Sequence, residues 1–315
     1  MNKKMRVFIT GSNGFVGRHL INLLSQRGHT VFAGVHENIE KFPSAVKVHH
    51  INILDQNRLY ELLKEIKPDA IIHLAALSKV PDSWEDPVKT FNINTIGSIH
   101  LIQAAQKISP DVKILTVGSS EEYGLTGTIG TPLTEEHPCF PQNPYASSKL
   151  SMGQVVLQLA KKNQQTIIHV RPFNHFGPQQ PRGFVISDFA SQIAQIEKGL
   201  SQPFIKVGDL SAIRDFTDVR DVVNAYILLL ENNVETGIYN ICSGVSRSIK
   251  DCLDELIKLA SCPVQVIVDK HKFRPLQVPV FLGSYKKINE KVNWKPDISF
   301  EQSLQDTLDY WRSHI

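Results

Sequence analysis

Long apolar runs are missing from this chain. No stretch of about 18 or more apolar residues occurs, so no membrane span is expected. Cysteine is scarce, with Cys139, Cys242, Cys252 and Cys262 in 315 residues. None has CxxC spacing or clustered histidines, which argues against a zinc site or a disulfide framework and for free thiols in a reducing compartment. An excess of one charge is also missing. The net charge is +3 and the Lys and Arg residues are scattered, which argues against nucleic acid as a partner. The opening Met1–Arg6 runs straight into a strand-like segment without the apolar stretch of a signal peptide. What remains is 42% hydrophobic and 21% charged, the composition of a soluble globular protein with a full core. A cytoplasmic protein without a bound metal is expected.

The amino-terminal half is built of strand, turn and helix units. Residues 6–10 form a short apolar run, the glycine-rich turn Gly11-Ser-Asn-Gly-Phe-Val-Gly17 follows, and residues 18–27 carry apolar side chains at helical spacing up to Gly28. With a strand at 30–34 this makes a βαβ unit. There Gly11 permits a tight turn, Gly14 admits a pyrophosphate to backbone N–H groups, and Gly17 lets helix and sheet approach. A dinucleotide is therefore expected, cradled by Gly11, Asn13, Gly14, Phe15, Val16 and Gly17. After the second strand comes Val35-His36-Glu37, neither the acid that favours NAD nor the arginine that favours NADP. His36 is left beside the ribose, and NADH or NADPH stays open.

Residues 46–51 read as a strand, and Asn52 and Ile53 begin a turn of the kind that lies over an adenine. Residues 57–66 read as an amphipathic helix. The run 69–76 is apolar almost throughout, as a strand covered on both faces should be. It ends in Leu74, Ala75 and Ala76, small enough at the tip to leave room for a cofactor. A helix over 87–107 leads to a strand at 113–117. Strands alternating with helices predict a doubly wound α/β fold with a parallel sheet, whose ligands sit at the carboxyl ends of the strands.

The chemistry is expected at Gly118-Ser-Ser-Glu-Glu-Tyr-Gly124 and Tyr145-Ala-Ser-Ser-Lys149. Tyr145 and Lys149, four apart, share a helix face. An ammonium beside a phenol is expected to bring its pKa down toward neutrality. Ser119, at a strand end, is placed to hydrogen-bond a substrate oxygen. Together the three make a redox site for an alcohol or carbonyl.

On TGSNGFVG, HLAA with Ser78 two residues on, Asn94-Thr-Ile-Gly97, GSSEEYG and YASSK, the whole chain resembles the extended short-chain dehydrogenase/reductases that act on nucleotide sugars. The resemblance implies Ser119 as the catalytic hydroxyl, Tyr145 as acid/base and Lys149 as phenolate stabiliser, with Tyr145 and Lys149 also against the cofactor. Asn94 falls where the family keeps an asparagine that orders the active-site helix and its water near the cofactor, and it reads equally as a buried, helix-kinking amide. His73 reads as structural. Ser78, Ser120 and Asn174 sit where sugar or phosphate is bound, and Ser78 also suits a plain turn. Arg214, after a strand at 204–208, and Arg274 sit where the family binds the diphosphate, although alone each reads as a surface salt bridge.

The stretches RPFNHFGPQQPRGFVISDFASQI and KVGDLSAIRDFTDVRDVVNAY are similar to members that reduce GDP-4-keto-6-deoxy-D-mannose toward GDP-D-rhamnose. That implies a GDP-linked 4-keto-6-deoxy sugar as substrate. Glu121 complicates this, since it lies where 4,6-dehydratases place an acid. A dehydratase of the GDP-mannose type, a 4-epimerase and a non-catalytic dinucleotide-binding scaffold remain alternatives. The expected architecture is a Rossmann domain over residues 1–170 and a smaller α/β substrate lobe over 171–315, with some segments returning to the first. Helices at 87–107 and 148–162 are expected to form a four-helix homodimer interface, as in the family.

Overall fold

The structure is a computed structural model that describes residues 4–36, 42–272 and 278–315. Its centre is a parallel sheet. Strands β1 (Arg6–Thr10), β2 (Thr30–Val35), β3 (Lys47–His50), β4 (Ala70–His73), β5 (Lys113–Val117) and β6 (Ile167–Pro172) lie in it, in spatial order 3-2-1-4-5-6. Their apolar character follows from position: Val7, Phe8, Ile9, Ile71, Ile72, Ile114 and Leu115 are all fully buried, with helices over both faces. Helix α1 (Phe15–Gln26) covers one face. On the other lie α2 (Gln56–Ile66), then α3 (Val80–Glu85), α4 (Pro87–Phe91), α5 (Gly97–Ile108) and α6 (Pro144–Asn163). The strand order reverses between β1 and β4, and a crevice opens there at the carboxyl ends.

Beyond β6 the chain builds a smaller lobe and comes back. Strand β7 (Asn174–Phe176), α7 (Val185–Glu197), β8 (Phe204–Val207) and β9 (Ile213–Asp218) belong to the lobe. Helix α8 (Val219–Glu231) then packs on α1, and β10 (Gly237–Ile241) adds a seventh parallel strand beside β6. The lobe resumes with β11 (Ser246–Ser248), α9 (Ile249–Leu259) and β12 (Gln265–Val268), followed by α10 (Lys286–Val292) and α11 (Phe300–His314). Strands β7, β9 and β11 form a small sheet under a core that includes Phe176, Phe216, Leu253 and Leu304. The fold is thus a doubly wound α/β sheet with a smaller α/β lobe.

Three local expectations change. The helix over 87–107 is α4 and α5 joined by a π-helical turn at Asn92–Ile96, with Asn94 at its middle. Arg214 comes after β8 as expected but lies inside the next strand, β9, paired with Arg247 of β11. Residues 171–181 read in sequence as a Pro-rich loop too polar for core, but Arg171 is not in a loop. It is in β6 and 4% exposed, because Glu122 neutralises it from below. No helix among the described residues is long and apolar enough to cross a membrane.

Candidate active site

A cleft of about 1350 Å³ runs along the carboxyl ends of the strands from the glycine turn to Tyr145. Gly11, with φ +69°, needs the left-handed region, and a Cβ there would stand 2.7 Å from the Ala75 amide nitrogen. At Gly17 a Cβ would meet the Ser12 carbonyl at 2.4 Å. The close approach of α1 to its own turn therefore depends on glycine. Gly14 is the N-cap of α1 and supplies no side-chain cap, so the first N–H groups of the helix are left to a ligand. Gly11, Asn13, Gly14, Phe15, Val16 and Gly17 line this end of the cleft. His36, Asn52 and Ile53 line it too, and Leu74, Ala75 and Ala76 form its wall at β4. This donor-rich turn with a long adjoining cleft fits a dinucleotide.

At the other end stand Ser119, Tyr145 and Lys149. Helix α6 is started by Asn143, whose side chain accepts from the Ala146 N–H at 2.8 Å, with Pro144 in the first turn. Tyr145 and Lys149 thus leave one face of a firmly capped helix. The Tyr145 phenol and the Ser119 hydroxyl interact. Lys149, 5% exposed, donates to the Val117 carbonyl at 2.7 Å, and burial brings its pKa down to about 8. The phenol departs from expectation: its pKa lies above the ordinary tyrosine value rather than below it. Burial is the main cause, with Glu121 and Glu122 adding to it and the Ser119 interaction opposing. The ammonium's bond to Val117 aims it at the end of β5, so in this arrangement it does not offset the burial of the phenol.

Ser78, Ser120, Glu121 and Asn174 also line the cleft. Glu121 Oε2 accepts from Asn143 Nδ2 at 3.2 Å, so this acid is tied to the start of the reactive helix. Asn94 and Arg214 are not among the lining residues. The Asn94 amide accepts from Leu77 N (2.8 Å) and donates to Leu77 O (3.0 Å) and Ser148 Oγ (3.0 Å), pinning the loop after β4 to α6. Arg214 donates to the carbonyls of Ile213 and Pro279 and lies 5.1 Å above the Phe281 ring. Arg274 lies outside the described residues. His73 is bridged between Thr10 and Ser98 at 2.7 Å each, and burial takes it down to about 3, so it is a neutral structural histidine.

Sequence reasoning missed several neighbours. His175 and Tyr226 line the cleft, and among the described residues the buried Tyr226 hydroxyl has no hydrogen-bond partner. Glu122 lies directly beneath Ser119. Asn143 carried a readable signal, an Asn-Pro pair before a helix. The others had none, because long-range strand and helix packing brings them in.

A glycine turn feeding a helix N-terminus, with a tyrosine–lysine helix across the strand ends, defines a dinucleotide-dependent enzyme of the extended short-chain dehydrogenase/reductase kind. Within that class the chain belongs to the family described as GDP-mannose 4,6 dehydratase, which matches residues 8–307. A Pseudomonas aeruginosa relative, GDP-6-deoxy-D-mannose reductase, is 35% identical over 98% of both chains. Human GDP-mannose 4,6 dehydratase is 26% identical over 95% of this chain and 89% of its own. The solved structure of RMD from Pseudomonas aeruginosa, complexed with NADPH, superposes with a TM-score of 0.87 at 33% identity, covering 99% of this chain and all of the other.

Proposed function

We propose that the protein reduces the C4 ketone of a GDP-4-keto-6-deoxyhexose with NADH or NADPH, giving GDP-D-rhamnose. The observation that carries this reading is the placement of Ser119, Tyr145 and Lys149 at the far end of a cleft that begins at a pyrophosphate-type glycine turn. The Pseudomonas relative supports the substrate class. Bound NAD(P)H supplies the hydride that C4 receives. Tyr145 gives its phenolic proton to the C4 oxygen, Ser119 donates a hydrogen bond to the same oxygen, and the Lys149 charge offsets the phenolate left behind. A phenol held above its ordinary pKa is protonated at neutral pH, which is the state a reduction requires. His36 borders the ribose end, and Ser78, Ser120 and Asn174 meet the sugar. In this reading residues 1–170 hold the cofactor and 171–315 mainly the nucleotide sugar, with Arg214 and Arg274 serving the diphosphate.

The test is NAD(P)H oxidation with GDP-4-keto-6-deoxymannose, with NADH and NADPH titrated separately and the product's C4 stereochemistry read by NMR. Oxidation in wild type that disappears in Tyr145→Phe is expected. Equal turnover by the variant overturns the mechanism.

One observation favours a second reading. Glu121 faces the cleft beside Ser119, as a 4,6-dehydratase requires. Incubation with GDP-mannose and no added reduced cofactor separates the two, since a 4-keto-6-deoxy product makes the protein a dehydratase.

The same reading makes the protein a cytoplasmic homodimer joined through a four-helix bundle of the helices around Asn94 and α6. Free thiols at Cys139, Cys242, Cys252 and Cys262 suit a reducing compartment. Trp84 and Val88, 58% and 69% exposed, are apolar residues that a partner would cover. A monomer in sedimentation equilibrium would overturn the dimer.

A further inference from the structure

Glu122 is a fully buried carboxylate next to the reacting groups, and the reaction as derived makes no use of it. Its Oε1 accepts from the Ser119 backbone N–H at 2.9 Å and faces His169 Nε2 at 3.2 Å, and its Oε2 accepts from Arg171 Nε at 2.7 Å. Ser119 answers from its side, since its hydroxyl accepts from the Glu121 N–H at 3.2 Å. The two residues thus cap one 3₁₀ turn, Ser120–Tyr123, reciprocally.

The surroundings leave room for this carboxylate and for little else. A Cβ on Gly118 would fall 2.1 Å from Glu122 Oε1, and one on Gly153 of α6 would fall 2.7 Å from His169 Nε2. His169 is held on its other side by Thr116 Oγ1 at 3.0 Å, and the Arg171 guanidinium lies 4.7 Å over the Tyr123 ring. Burial works to neutralise Glu122, but His169 and Arg171 hold its carboxyl below the ordinary glutamate value, so the charge persists. That charge reaches the reactive helix. It opposes the effect of burial on Lys149 and adds to the upward push on Tyr145. The charged or titratable groups around Glu122 are His169 and Arg171 from β6, Tyr145 and Lys149 from α6, and Cys139.

We propose that Glu122 is a positioning residue for the reduction: it fixes the Ser119 hydroxyl through the backbone N–H and places a permanent negative charge behind Tyr145 and Lys149. A purely structural packing could be built from hydrophobic side chains in place of Glu122, His169 and Arg171 together, without the cost of burying charges. Burial already keeps the phenol protonated and the charge adds to that, while favouring the cationic lysine that offsets the phenolate. The proposal rests on the reductase reading, so its test has one arm that needs no substrate.

In Glu122→Gln, which keeps the shape and removes the charge, kcat is expected to fall about tenfold or more with KM within about twofold. The Lys149 titration, followed by ¹³Cε-lysine NMR and assigned with Lys149→Met, is expected to move down by about half a unit or more. Glu122→Asp keeps the charge and shortens the reach. It is expected to leave that titration in place while kcat still falls, and it carries the test if the Gln variant does not fold. Wild-type kcat in either folded variant overturns the proposal. A fall in kcat in Glu122→Gln with no movement of the Lys149 titration overturns its electrostatic half. Should wild type reduce no GDP-4-keto-6-deoxyhexose, the functional reading fails, and the Lys149 titration still decides whether Glu122 acts on the reactive helix.

Discussion

Lys149 reaches across from α6 to donate to the Val117 carbonyl, the last residue of β5, at 2.7 Å. The strand that leads to Ser119 and the helix that carries Tyr145 are thereby locked to each other. An ammonium buried to that degree gives up part of its basicity, and burial takes it to about 8.

That shift has a consequence for stability. The folded chain holds the Lys149 proton less tightly than the unfolded chain, so between about pH 8 and the ordinary lysine value near ~10.4 the unfolded state binds more protons. Stability then rises with pH across that window. Relative to Lys149→Met, wild type is expected to gain about 2 kcal/mol of unfolding free energy from about pH 8 to about pH 10. Urea denaturation of both proteins at the two pH values measures it, and parallel curves would show that the lysine titrates normally.

The two glycines at the start of α1 are expected to separate folding from binding. A Cβ at Gly17 meets the Ser12 carbonyl at 2.4 Å, backbone that cannot move aside, whereas at Gly14 the nearest atom is 3.2 Å away. Gly17→Ala is therefore expected to lose about 2 kcal/mol or more of stability. Gly14→Ala should lose less than about 1 kcal/mol yet bind dinucleotide at least about tenfold more weakly, because the methyl group stands where the pyrophosphate approaches. Thermal melts and calorimetric titration with NADPH distinguish them. Equal loss of both properties in both variants would refute the division.

Asn94 satisfies both backbone groups of Leu77 and the Ser148 hydroxyl from the middle of a π-helical turn. Asn94→Ala leaves both partly buried Leu77 backbone groups unpaired, while the Ser148 hydroxyl keeps its bond to the Tyr145 carbonyl, and is expected to cost on the order of 2–4 kcal/mol. Hydrogen exchange is expected to quicken at the Leu77 amide together with the first turns of α6. Unchanged exchange at Leu77 would mean that the loop is held by other contacts.

At the far end of the lobe, Arg312 of α11 grips Glu197 of α7 through two bonds of 2.8 and 2.7 Å and holds its carboxyl at about 2. The lowered value means that the contribution is present above the ordinary glutamate range and is lost as pH falls through about 2. Because the arginine is partly exposed, solvent screening limits the effect to about 1 kcal/mol or less. Acid titration of stability should therefore be shallower in Glu197→Gln than in wild type between about pH 4.3 and about 2. Identical acid limbs would remove the pair from the stability of the lobe.

The parts legible in the sequence are those whose cause is local. The glycine turn is readable because backbone approach demands glycine within seven residues, and Tyr145 and Lys149 because one helical turn joins them. The parallel sheet followed from apolar strands alternating with helices. Other parts depended on neighbours far along the chain. Arg171 read as polar loop and proved to be strand, because its charge is answered by a carboxylate 49 residues away. Arg214 read as a residue after a strand, because nothing near it announces pairing with segments on either side.

The same contrast runs through the reactive set. By itself the sequence determined that a phenol and an ammonium stand one turn apart above a nucleotide turn, since helix periodicity requires nothing else. Only the tertiary structure decided how they are charged. Burial, not adjacency, sets the phenol high and the lysine low. The register that pairs Thr116 with His169 brings His169 and Arg171 beneath Glu122, where a low dielectric makes that one carboxylate felt by both.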